Sequence, residues 1–472
     1  MRVNYTKIVA TLGPSSDSFS VIENMVQAGM DTARLNFSHG SYENFKQIVK
    51  NIRKASHKHK RIVAILQDLQ GPKIRLGKLP PEGIPVKKGQ KLVLSTGGKS
   101  DKNGLSSIFV VPVQYKSLHK DVKKGHSLYI DDGLIQTKIT KISGNKIYVT
   151  IKNKGTLFSN KGINTPDSSI SAKTLTPKDL KDLKFGLKLG ISYVALSFVK
   201  SAKDIKDLRE ILVQNKASHV KIIAKIERHE AVDNLKEIIE EADGVMVARG
   251  DLGIEIKPEQ VPIVQKTIIK LANKLAKPVI TATQVLASMI ENPTPTRAEI
   301  SDAANAVYDH SDAIMLSNES ATGAYPVKAV QTLARVISAV ENELKKHREI
   351  LHKEIFHHCS LNVNATCLSA CELAVDSNAN KIIVYSKDGY TARQIAKHRV
   401  FIPTIVITPN PRLIQELPLL WGVNQSLYKK FTHPSVNGIK YYLLSKKVVA
   451  KKERIVIVFN AKNKGSVATL TV

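Results

Sequence analysis

Four charged residues close two short apolar runs in the stretch Val220 to Ile256. The run KIIAKIE delivers Lys225 and Glu227, and the run GVMVARGD delivers Arg249 and Asp251. Glu227 lies two residues after Lys225, so on an extended strand both point to one side. Asp251 follows Gly250, a residue that lets the backbone come close to a ligand. Hard carboxylates on rigid strand ends suit Mg²⁺, which completes its shell with waters and substrate oxygens. A lysine beside such a metal is a point charge for a phosphoryl group in transfer. A strand-end ion pair and a helix cap would explain the same residues one at a time. They explain the two adjoining strand ends together less well.

Such groups need a frame. Between the two runs, Ala231, Leu235, Ile238 and Ile239 recur at helical spacing, giving a strand–helix–strand unit. Strands of this kind are predicted near Val9, Ala33, Ala64, Ala195, Ile223, Met246, Ile280 and Met315, with helical patterns between them. Helices are expected over Leu175–Leu189, with Thr176 as cap and Pro177 first, over Ala202–Val213 and over Pro258–Leu275. From Pro72 to about Ser171 the texture becomes short alternating runs with many lysines, which reads as an all-β insertion. The fold expected is α/β: a (β/α)8 TIM barrel over 1–71 and 172–343, a small β-barrel lid over 72–171, and a C-terminal α/β domain over 344–472. The barrel would bring Arg34, Asp68, Lys225, Glu227, Asp251, Thr283 and Ser317 to one rim. Alternation places Arg34, Asn36 and Ser38 on one side of the second strand.

Composition narrows the classes. The chain has 472 residues, 71 of them basic against 41 acidic, a formal net charge of +30. The lysines are spread over most surface-like segments, without aromatic interleaving or a basic tail, so no nucleic-acid partner is expected. No stretch approaches the ~18 apolar residues of a membrane span, and no apolar leader pattern opens the sequence. The expectation is a cytoplasmic chain with no membrane partner. Cys359, Cys367 and Cys371 lack metal-ligand spacing and read as reduced thiols.

Over its whole length the sequence resembles the pyruvate kinase family. The segments ATLGPSS, RLNFSHG, DLQGPKIR, DDGLI, KIE, ARGDLG, ATQVLASMI, PTRAEISDAANAV and MLSNESATGAYP carry the resemblance in order. It implies phosphoryl transfer from phosphoenolpyruvate to ADP, giving ATP and pyruvate, with Mg²⁺ (or Mn²⁺), in a homotetramer. Lys225, Arg34 and Thr283 would be catalytic: Lys225 neutralises the phosphoryl group, Arg34 clamps phosphate, and Thr283 lies on the protonation path. Glu227 and Asp251 would hold the metal. The Gly250 and Asp251 amides would hold the substrate carboxylate, with Ser317 on the same substrate rim. Asn36, Ser38, His39, Arg75 and Lys161 would meet nucleotide phosphates. Asp131 and Asp132 fit either a tight turn or a nucleotide-facing pair. A barrel lyase or aldolase acting on a pyruvate enolate would share the metal site without needing ADP.

Two departures from the family pattern matter. The monovalent-cation pocket would comprise Asn36, Ser38, Asp68 and Leu69, but Leu69 replaces a threonine, and Lys73 stands where K⁺-dependent members carry glutamate. Its ammonium would supply the charge that K⁺ supplies elsewhere, so K⁺ is not expected to be required. The effector turn reads SKDGYT, Ser386 to Thr391, with a short loop near Asn463–Ser466, which speaks against activation by fructose 1,6-bisphosphate.

Overall fold

The computed structural model describes residues 4–97, 109–347, 361–461 and 464–472. Eight parallel strands close into a barrel. They are Lys7–Leu12, Thr32–Asn36, Ala64–Asp68, Tyr193–Leu196, Lys221–Ile226, Gly244–Ala248, Val279–Ala282 and Ala313–Leu316, each on a run predicted from sequence. The runs are apolar on both faces because a parallel barrel buries both. Val9, Ala64, Ala195, Ile223, Met246 and Ile280 fill the interior. Leu35, Ile65, Val194, Ile222 and Val247 meet the surrounding helices.

Local signals set the helix ends. Phe19–Ala28 starts where the Ser18 side chain accepts the Val21 N–H and stops at Gly29, whose φ of 126° favours glycine. Pro177–Lys188 opens on a reciprocal box between Thr176 and Asp179. The helix expected over 258–275 is instead a 3-10 turn, Pro258–Gln260, followed by the α-helix Val261–Lys274. Pro262 lacks the N–H that would continue one α-helix across the join. After Ala248 the chain turns at once into the short helix Arg249–Glu255, so Asp251 lies in its first turn.

Between the third and fourth barrel strands stands a six-stranded sheet, ordered Ile163–Asn164, Ser127–Ile130, Ile135–Ser143, Lys146–Ile151, Lys91–Ser95, Phe109–Pro112. A two-stranded sheet, Gly155–Leu157 with Ile84–Val86, stands beside it. The expected small barrel is therefore not closed by continuous strands. Its two edges are joined through single bridges, Arg75 to Gly162 and Leu76 to Val113. One apolar core that includes Leu76, Leu92, Leu128 and Ile163 fills this unit.

The C-terminal sheet has five strands in the order Val423–Tyr428, Thr404–Thr408, Lys381–Tyr385, Arg454–Ala461, Lys464–Thr471. The first and last of these, and the helix Val436–Ser445, lack the apolar runs that reveal the other three strands. This unit plugs the barrel from below. Leu419 joins the barrel-interior cluster, and the Tyr193 hydroxyl donates to the Glu416 carbonyl at 2.7 Å. Arg399 pairs with Asp312 at 2.8 Å and lies over the Trp421 ring. Cys367 and Cys371 are buried free thiols, and Cys359 lies outside the described residues. In the SKDGYT turn, Ser386 Oγ accepts the Gly389 N–H at 3.0 Å. Residue 463 of the adjoining loop lies outside the described residues.

Candidate active site

The carboxyl ends of the barrel strands deliver a buried charge cluster. Arg34 donates from Nε to Asp68 Oδ2 at 2.7 Å and from Nη1 to Thr11 Oγ1 at 2.9 Å. Lys225 Nζ lies 3.3 Å from both Asp68 Oδ1 and Glu227 Oε2, and donates to Ser197 Oγ at 2.7 Å. Asp68 and Glu227 are each only 1% exposed. Burial alone would raise the Asp68 carboxyl, but Lys225 and Arg34 outweigh it and hold the group below the usual carboxylate range. Burial would lower the Lys225 ammonium, but Asp68 and Glu227 hold it charged, above its ordinary value.

Glu227 behaves differently. Burial, with the Asp251 charge adding to it, overcomes Lys225 and pushes the carboxyl up to about 7. Its Oε1 accepts the Phe198 N–H at 2.7 Å, but its buried Oε2 has no hydrogen bond. Buried polar atoms are nearly always satisfied, so this oxygen has unused capacity. A hard divalent cation shared with Asp251 would meet that demand and relieve the repulsion between the two carboxylates. The residues present therefore fit Mg²⁺.

Asp251 is partly open, with its side chain 30% exposed. Beside it, Thr283 holds a left-handed backbone (φ 65°), as does Gln284 (φ 55°). For a β-branched residue this is a strained conformation of the kind that marks functional sites. Thr283 Oγ1 accepts the Gly250 N–H at 2.8 Å and donates to the Ala282 carbonyl at 2.7 Å. The Gly250 amide expected to hold substrate is thus already committed to Thr283. Ser317 follows the last barrel strand, and its buried Oγ has no hydrogen-bond partner.

The residues expected to form the monovalent-cation pocket are partnered within the chain. Lys73 pairs with Asp251 at 3.5 Å and Asp132 at 3.6 Å, not with Asp68. Asp68 is instead neutralised by Arg34 and Lys225. Asn36 Oδ1 accepts the Ser38 N–H at 3.1 Å, and the Leu69 carbonyl accepts from Ser197 Oγ at 2.7 Å. These oxygens are already engaged within the chain.

Around the mouth lie the expected nucleotide residues. His39 is largely exposed, and partial desolvation of its ring together with the nearby charges of Arg75, Arg34, Lys178 and Lys73 depresses its basicity. Arg75 donates to the Asn160 carbonyl at 2.9 Å, and Lys161 pairs with Asp131 at 2.9 Å. Asp131 and Asp132 both have left-handed φ, so they occupy a tight turn and also face cations.

Three residues escape the sequence reading. Ser197 and Phe198 directly follow the fourth strand, and their position just past a barrel strand is the signal that could reveal them. Lys178, which donates to the Phe37 carbonyl at 2.7 Å, sits in a helix first turn that looks merely solvated in sequence.

Comparison with known proteins shows the family. The family model for the pyruvate kinase barrel domain matches residues 3–330, and that for the pyruvate kinase alpha/beta domain matches residues 364–472. The pyruvate kinase of Geobacillus stearothermophilus is 43% identical over 423 residues, 89% of this chain and 70% of that protein. That of Clostridium acetobutylicum is 40% identical over 430 residues, 90% of this chain and 89% of that protein. The crystal structure of a pyruvate kinase from Cryptosporidium parvum superposes with a TM-score of 0.90 at 34% identity, covering 99% of this chain and 96% of that one. With the barrel, the buried lysine–carboxylate cluster and these relatives in agreement, the chain belongs to the pyruvate kinase family.

Proposed function

We propose that this chain transfers the phosphoryl group of phosphoenolpyruvate to ADP through the cluster around Lys225, and that Glu227 and Asp251 hold a divalent cation, Mg²⁺ or Mn²⁺, for the reaction. The observation that carries the reading is a buried Lys225, held charged by Asp68 and Glu227, beside a Glu227 Oε2 that makes no hydrogen bond. When bound, the cation supplies Lewis-acid polarisation of phosphoryl and carboxyl oxygens. Lys225 offsets the charge of the phosphoryl group as it leaves the enol oxygen, and Arg34 orients that group with its planar fork. The acceptor is a β-phosphate oxygen of ADP, steered by the cationic mouth at His39, Arg75 and Lys161, with Asn36 and Ser38 below it. The Asp251 amide, in the first turn of its helix, binds the substrate carboxylate. The enolate left behind takes a proton at carbon to give pyruvate. The Thr283 hydroxyl is too weak an acid to be the ultimate donor, so it orders a water relay. The inserted unit closes over the site and excludes water.

Lys73, already paired with Asp251 and Asp132, makes the reaction independent of K⁺. The enzyme works as a cytoplasmic homotetramer. Among the described residues no helix is long and apolar enough to cross a membrane. Coupled pyruvate formation with Mg²⁺, run in Na⁺ and then in K⁺, tests these points. Equal turnover in both salts, dependent on ADP and lost in Lys225→Met, is the expected result. Turnover only with K⁺ would remove the Lys73 role, and turnover without ADP would replace a kinase by a lyase. Light scattering in solution checks the tetramer.

A further inference from the structure

We propose that Glu255, Arg228 and Asn164 form a latch tying the seating of the inserted unit to the placement of the two metal-binding carboxylates. Glu255 and Arg228 are then positioning residues for the reaction. The latch presupposes the phosphoryl-transfer reading above and adds a device to it.

Each candidate metal ligand has a charged neighbour that reaches away from the reaction centre. Arg228 directly follows Glu227, and Glu255 lies one helical turn after Asp251 in the helix Arg249–Glu255. Both reach the same segment of the inserted unit where it returns to the barrel. Arg228 Nη2 donates to the Ser168 carbonyl at 3.1 Å, and Asn164 Nδ2 donates to Glu255 Oε1 at 3.2 Å. Glu255 Oε2 lies 3.3 Å from His229 Nδ1 and 3.9 Å from Arg228 Nη2. All three latch residues are no more than 6% exposed. The outgoing crossing is held by the same helix, through Lys73 and Asp251 at 3.5 Å. Both crossings between barrel and inserted unit therefore engage Arg249–Glu255.

The cluster is a joint and not a ligand site. His229, Glu230 and Glu255 stand close enough to share a cation. The guanidinium of Arg228 already donates to Glu230 at 2.9 Å and faces Glu255, so the countercharge is built in. The cavity beside it measures only about 20 Å³. Movement of residues 164–168 must therefore pull on Arg228 and Glu255, and through one or four residues of chain on Glu227 and Asp251. Coupling of this kind is reciprocal: metal on the carboxylates favours the seated unit, and the seated unit favours metal.

The test uses the full chain as wild type, Glu255→Ala, Glu255→Gln and Asn164→Ala. Steady-state kinetics gives kcat and the KM for each substrate. Hydrogen exchange at the amides of residues 163–165, 167 and 168 is read with and without Mg²⁺. Loss of a buried hydrogen bond to a charged group is expected to lower kcat/KM for ADP about tenfold in Glu255→Ala and Asn164→Ala, with KM for phosphoenolpyruvate within about twofold. Glu255→Gln keeps an acceptor for Asn164 and recovers most of the loss. Mg²⁺ slows exchange at these amides in wild type and not in Glu255→Ala. An unchanged kcat/KM for ADP in both truncations, a Gln variant as impaired as Ala, or equal Mg²⁺ protection in wild type and Glu255→Ala overturns the latch. If Glu255→Ala does not fold, Asn164→Ala against Glu255→Gln makes the same comparison. A wild type without ADP turnover would remove the functional reading, and the exchange measurement would still decide the latch.

Discussion

The barrel carries a buried ion cluster at each end, and they are finished differently. At the lower end, both oxygens of Asp312 are satisfied. Oδ1 accepts from Arg399 at 3.0 Å, and Oδ2 accepts from Arg399 at 2.8 Å and from the Val279 N–H at 3.1 Å. At the upper end, Lys225 holds Asp68 and Glu227, yet Glu227 Oε2 is left without a hydrogen bond. The Asp312 carboxylate is saturated where it joins two units, whereas the equally buried Glu227 carboxylate keeps one oxygen without a hydrogen bond.

Substitution of the central cation at each end breaks the comparison most severely. Lys225→Met is expected to cut turnover by at least about 10²–10³-fold, the scale for losing a preorganised charge at a transition state. A loss of less than tenfold, measured on folded protein, would make the upper cluster structural. Arg399→Met leaves Asp312 buried and unpaired, which costs about 3–5 kcal/mol of stability. Its denaturation midpoint should fall while turnover per folded molecule at 25 °C holds.

A pH titration sharpens the contrast more gently. The Glu227 carboxyl is raised to about 7 in the folded chain, above its unfolded value, so the folded state binds the extra proton in that interval. Without divalent cations, the Glu227 contribution to stability is present below the unfolded value and is lost as pH rises toward 7. The slope should vanish in Glu227→Gln. Because a proton and a metal compete for the same carboxylate, apparent Mg²⁺ affinity should rise with pH through about 7. Calorimetry at pH 6 and pH 8 checks this, and equal affinities would contradict it.

The smallest effect is expected at Lys73. Lys73→Glu would set a third carboxylate beside Asp251 and Asp132. Turnover in Na⁺ should fall and be restored by K⁺, whereas the wild type should be indifferent. A variant that ignores K⁺ would detach Lys73 from the cation question.

Much of this was legible in the chain. The eight barrel strands announce themselves because buried parallel strands are apolar on both faces. Thr176-Pro177 and Ser18 mark helix starts because only certain side chains satisfy the first free N–H groups. The rim residues follow from strand ends. The strand Val423–Tyr428 was hidden because its sequence, VNQSLY, is largely polar at a sheet edge. The latch was hidden because Asn164 and Glu255 lie 91 residues apart, and neither stands in a periodic pattern.

The sequence by itself determined which groups reach the rim: alternation and strand ends fix the position of Arg34, Asp68, Lys225 and Glu227 from short-range geometry alone. Tertiary structure decided how those groups are partnered. It turned Lys73 toward Asp251, committed the Gly250 amide to Thr283, and left Glu227 Oε2 unsatisfied. Pairing of buried charges depends on distances of a few ångströms between residues far apart in the chain, and only the closed barrel sets those distances.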